Sequence, residues 1–130
     1  MAGGSMRTPL GRVLGLGSAH SGTEHFWRQR VTGLANLFLA IGVVVIVAMT
    51  AGRPYPEVVA ILSSPVAAVI LFLLVVSVAV HMRLGMQVVI EDYVHGDGAR
   101  IAALVANTFF SVTVGAVAAF AILKLAFGGA

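Results

Sequence analysis

Three long stretches without one charged residue, 31–52, 58–82 and 101–123, limit what this chain can fold into more than any other feature. Each exceeds the ~20 residues that a helix needs to cross a hydrocarbon core about 30 Å thick. Strands of a membrane barrel would be about half as long and would alternate in polarity. These runs are apolar all round, whereas the helices of a water-soluble domain carry a polar stripe. Composition agrees: 59% of the 130 residues are hydrophobic and 10% are charged, against ~25% charged in a typical soluble domain. The expected fold is an all-α membrane protein of one domain with three transmembrane helices.

Local signals set the boundaries. Ser64-Pro65 is a helix start, with serine at the N-cap position and proline at the first helical one. A helix from Pro65 that spans the core runs past His81 and Arg83. Residues 53–63, with Arg53, Pro54, Pro56 and Glu57, then read as a loop. Gly96-Asp97-Gly98 is a turn signal, so the second helix is expected to leave the membrane and end near Val94. The expected order is an N-terminal segment 1–30, helices over 31–52, 64–94 and 101–124, connections at 53–63 and 95–100, and a tail from 125 to 130.

Basic residues give the direction. Arg7, Arg12, Arg28 and Arg30 precede the first span, and Arg83 and Arg100 flank the second connection; only Arg53 and Lys124 lie on the other side. The positive-inside rule therefore predicts a cytoplasmic N-terminus and a periplasmic C-terminus, in a multi-pass protein of the bacterial inner membrane. The same scatter excludes a nucleic-acid surface, despite a net charge of +3, because the basic residues form no patch. Residues 1–30 contain no apolar core of the kind a signal peptide needs. Gly15-Leu16-Gly17 is followed by His20 rather than by the third glycine of a dinucleotide loop, and no soluble βαβ unit surrounds it. The chain has no cysteine, so disulfides, thiolate zinc sites and iron–sulfur clusters lie outside its chemistry.

Polar groups inside hydrocarbon need a partner or a function. For Asn36, Asn107, Thr108, Ser111 and Thr113 the reading is packing, through bonds to backbone or to adjacent helices. Ala103, Asn107, Ser111, Gly115 and Ala119 recur every four residues as one small-residue stripe, a surface for close helix packing. His81 is the sole histidine within the three runs. It lies ~24 Å along a helix that begins at Pro65, on one face with Ser77, Gly85, Val88 and Asp92. Imidazole is the commonest protein ligand of heme iron, and Gly85 one turn on leaves room for a bulky flat group. The other reading is a histidine hydrogen-bonded inside a bundle, and the residues alone leave both open. A six-coordinate iron needs a second axial ligand, so any heme here is shared with another subunit. Arg83 near the membrane edge can snorkel. Arg28 and Arg30 serve as topology signals or as partners for an acidic cofactor group. Asp92 and Tyr93, at the end of the second helix, are interfacial anchors or a hydrogen-bonding pair for a quinone head group.

Two segments resemble a known family. Gly15-Leu16-Gly17-Ser18-Ala19 followed by Ser21-Gly22-Thr23-Glu24-His25-Phe26-Trp27-Arg28-Gln29-Arg30-Val31-Thr32 is similar to the start of the hydrophobic anchor subunit of alphaproteobacterial succinate dehydrogenase. Residues 81–94 resemble that family's H-x3-G-x6-D-Y signature, through His81, Gly85, Asp92 and Tyr93. The resemblance extends over residues 15 to about 125. It implies that this chain is the smaller anchor of succinate:quinone oxidoreductase (complex II), alongside a larger cytochrome b anchor, an iron–sulfur subunit and a flavoprotein. By position it implies that His81 is an axial ligand of a shared heme b and Arg30 lies near the heme propionates. Tyr93 and Asp92 would take part in binding the quinone, ubiquinone being the expected substrate, and no flavin or cluster chemistry falls to this chain. The rival reading from the residues is a small oligomeric transporter or channel subunit with His81 and Arg83 as the coupling site. It leaves the Asp92-Tyr93 pair and the Trp27-containing N-terminal segment unexplained.

Overall fold

The computed structural model describes residues 8–15 and 22–128. Arg7, His20 and the 16–21 part of the N-terminal motif lie outside the described residues. Among the described residues the structure is all helical: α1 (Pro9–Val13), α2 (Gly22–Thr50), α3 (Tyr55–Leu62), α4 (Pro65–Tyr93) and α5 (Asp97–Phe127). Three of these, α2, α4 and α5, are long and apolar enough to cross a membrane. With 29, 29 and 31 residues they measure roughly 44–47 Å, longer than a ~30 Å hydrocarbon core. Their ends therefore project into the head-group layer, and that is where the charged residues sit.

Helix α2 starts at Gly22, well before the uncharged run at Val31. The polar first turns are stabilised within the helix. Glu24 and Arg28 form an ion pair one turn apart, and the Arg30 guanidinium lies over the Phe26 ring, 4.8 Å from its centroid. Helix α2 ends at Thr50, and Gly52 takes a left-handed conformation (φ +71°) that a side chain would disfavour.

Residues 53–63, expected to be a loop, contain the short helix α3. Its prolines do not break it, because Pro54 occupies the N-cap position (φ −66°, ψ 153°) and Pro56 the first turn, where no helical N–H is lost. The Pro54 carbonyl accepts from the amides of Glu57 and Val58 at 3.0 and 3.2 Å, and Arg53 pairs with Glu57 at 2.9 Å.

Helix α4 does begin at Pro65, after Ser64 in extended conformation, but the serine hydroxyl does not cap it. That hydroxyl donates back to the Ile61 carbonyl at 2.7 Å, tying α3 to the start of α4. The turn after α4 is short, and α5 starts at Asp97 rather than Ile101. Arg100 closes the turn by donating from Nε to the Val94 carbonyl at 3.0 Å.

Helix α4 is the centre of the molecule. It packs against α2 on one side and α5 on the other, while α2 and α5 do not pack against each other. Helix α3 touches α2, α4 and α5 at the opposite end from His81. The small-residue stripe of α5 meets α4 as expected. Ser111 is 2% exposed, and a Cβ placed on Gly115 would lie 3.0 Å from that of Ala79. The Asn107 amide donates to the Arg83 carbonyl at 2.9 Å, and the Ser111 hydroxyl donates to Asn107 Oδ1 at 3.4 Å. Few apolar side chains are buried, while Phe38, Phe109 and Phe120 stand about two-thirds exposed. Such a surface is untenable in water and ordinary against lipid.

Candidate functional site

Sixteen residues of unbroken helix separate His81 from the start of α4, so its depth is fixed by helical rise. Its orientation is fixed by α2. The imidazole Nδ1 lies 3.0 Å from Thr32 Oγ1, and Nε2 lies 3.4 Å from the Gln29 side-chain nitrogen. One turn before His81, the Ser77 hydroxyl donates to the Thr32 carbonyl at 3.3 Å. Space for the ring comes from missing side chains. A Cβ on Gly33 would come within 3.3 Å of His81 Cε1, and one on Gly85 would meet only the Gln29 amide at 3.4 Å. The space above Gly85 is taken by the Gln29 carboxamide.

Gln29 is not well satisfied there. Its Oε1 is buried without a hydrogen-bond partner, as are His25 Nε2 and Asn36 Oδ1 on the same face of α2. Burial of an unpaired polar atom costs about 1–3 kcal/mol. An imidazole nitrogen covered by a flexible side chain that packs over a glycine and has an orphaned oxygen fits a site for a flat group. These residues therefore fit heme ligation by His81, with the Gln29 carboxamide as the group that must yield.

Arg83 does not join this cluster. It lies two residues after His81, roughly 160° away around the helix, and lines the groove between α4 and α5 with Ser111 and Gly115. A joint His81/Arg83 coupling site has no geometric support. Arg30 is exposed beside Phe26, one residue past Gln29 and off the face that touches His81. Arg28 is engaged by Glu24.

Asp92 and Tyr93 complete α4, and the Tyr93 ring is 76% exposed. Along a straight helix Tyr93 is about 18 Å beyond His81. The structure does not bring the two into one pocket; it puts them at two levels of one rod. Arg100, unremarked as a site residue from sequence, anchors the backbone immediately after this pair. Gln29, Thr32 and Ser77 were likewise not singled out for any role toward the histidine. The available signal was their spacing: 29, 32 and 33 share one face of α2, as 77, 81 and 85 share one face of α4.

A helical, multi-pass membrane subunit with a polar seam around one histidine is the class that this geometry defines. The family model described as succinate dehydrogenase/fumarate reductase transmembrane subunit matches residues 4–115. The succinate dehydrogenase hydrophobic membrane anchor subunit of Paracoccus denitrificans is 34% identical over 121 residues, covering 93% of each chain. The protein of the same description from Rickettsia bellii (strain RML369-C) is 27% identical over 106 residues, 82% of this chain and 85% of that one. No solved structure gives a significant match. The chain belongs to the family of succinate dehydrogenase membrane anchor subunits. It is a multi-pass protein of the bacterial inner membrane and part of a multisubunit enzyme.

Proposed function

We propose that this chain holds one side of a heme b shared with a larger anchor subunit and forms part of the site where quinone is reduced. The observation that carries the reading is the His81 seam. It is an imidazole deep in a membrane helix, oriented by a second helix, with a flexible carboxamide against its Nε2 and over Gly85. When bound, a heme would supply a one-electron carrier. The His81 imidazole would hold its iron, and Arg30, exposed in the N-terminal part of α2, would offer a cation to a propionate. At the far end of α4 the Tyr93 hydroxyl donates to a quinone carbonyl, and Asp92 beside it helps deliver the protons that reduction consumes. Succinate oxidation belongs to the flavoprotein and iron–sulfur subunits, since this chain has no cysteine to hold a cluster. The basic-residue count puts the His81–Tyr93 end on the cytoplasmic side, where those subunits would dock.

The reading is tested by purifying the complex through a tag on this chain. Co-purification of three further subunits and a b-type spectrum are expected. His81→Ala should abolish or alter that spectrum, whereas substitution of His25 or His95 should leave it intact. A colourless homo-oligomer, or an unchanged spectrum in His81→Ala, would overturn the heme assignment.

A further inference from the structure

The seam between α2 and α4 contains a proton count that singles out one residue. The Thr32 hydroxyl has a single proton and three neighbours. Its oxygen lies 2.7 Å from the Arg28 carbonyl, 3.2 Å from the Gln29 carbonyl and 3.0 Å from His81 Nδ1. Two oxygens at 2.7 Å repel unless a proton lies between them, and 2.7 Å is the usual O–H···O separation. The Thr32 proton is therefore committed to the Arg28 carbonyl. What remains on Oγ1 is a lone pair, so the contact with His81 exists only if Nδ1 carries the hydrogen and donates it. A neutral imidazole has one such hydrogen, which leaves Nε2 with its lone pair facing the Gln29 amide 3.4 Å away. Ser77, by donating to the Thr32 carbonyl at 3.3 Å, ties this turn of α2 to α4.

We infer that Thr32 is the positioning residue for His81, fixing its tautomer and ring orientation so that Nε2 keeps its lone pair as a ready ligand once Gln29 yields. The hydrogen-bond part stands on the structure, whereas the ligand part rests on the heme reading above. An acceptor on the far nitrogen of a metal-bound imidazole makes it a stronger donor to the metal. Without it the ferric state is less well supported, and the midpoint potential rises.

The test uses the intact four-subunit complex with Thr32→Val, Thr32→Ala and Thr32→Ser, and His81→Ala as reference. Heme per complex and midpoint potential are measured. Removing the hydroxyl should raise the potential and weaken heme retention by about 10–100-fold, the usual effect of losing such an outer partner. Thr32→Ser should restore both. If Thr32→Val does not assemble, the Ala and Ser variants decide by the same two readouts. If His81→Ala loses the b-type spectrum while the valine and alanine variants match wild type, the Thr32 assignment alone is wrong. If the serine variant behaves like the alanine one, the methyl packing rather than the hydroxyl matters, and the assignment again fails. If His81→Ala retains the spectrum, the heme reading itself has failed.

Discussion

Tyr93 carries its hydroxyl at the last helical position of α4, three-quarters exposed and without a hydrogen-bond partner among the described residues. Converting it to phenylalanine keeps the ring and removes one donor, worth roughly 1–3 kcal/mol if it bonds a quinone carbonyl. At ~1.4 kcal/mol per decade, quinone reductase activity should fall about tenfold or more. Succinate oxidation with a soluble artificial acceptor should stay near normal if, as proposed, the chemistry that feeds it lies in other subunits. A parallel loss of both activities would make Tyr93 an assembly residue. His81, Asp92 and Tyr93 stand out in sequence as candidates because an imidazole in hydrocarbon and a carboxylate–phenol pair at its border contrast with apolar surroundings. Thr32 and Gln29 were not, since a hydroxyl and an amide near a helix end look like ordinary boundary residues. Their contacts with His81 exist only across two helices: spacing puts them on one face of α2 but does not say which helix that face meets.

Helices α4 and α5 approach closely at Gly115, opposite Ala79. Neither backbone can retreat without breaking the bond from Asn107 on the same stripe to the Arg83 carbonyl. Gly115→Val should therefore cost about 1–3 kcal/mol through overpacking. It should lower the temperature at which the purified complex dissociates. Gly98→Ala, where nothing lies within 4 Å of the added carbon, should leave that temperature unchanged or higher. The stripe was readable in advance from its four-residue recurrence. Element ends were not. Hydropathy stops at the first charge, yet α2 continues through Glu24, Arg28 and Arg30, which interact within their own helix. Helix α3 was hidden by Pro54 and Pro56, whose positions at a helix start make them compatible with the structure that they normally interrupt.

At the scale of the whole molecule, the direction of the three spans rests on where the arginines fall. A reporter fused after Ala130 should be active only outside the cytoplasm, and activity inside it would reverse the topology. The arrangement also has a consequence for how such a sequence can vary. Helix α4 separates α2 from α5, so the two outer helices share no direct interface. A substitution on the inward face of α2 can be offset from α4, or from α3 at one end, but not from α5, and the converse holds for α5. The outer helices are thus free to drift independently of one another along most of their length, where each meets only α4. The middle helix has no such freedom: one side is committed to Thr32 and Gly33, the other to Ser111 and Gly115. Change in this molecule should accumulate from its flanks and arrive last at the helix between them.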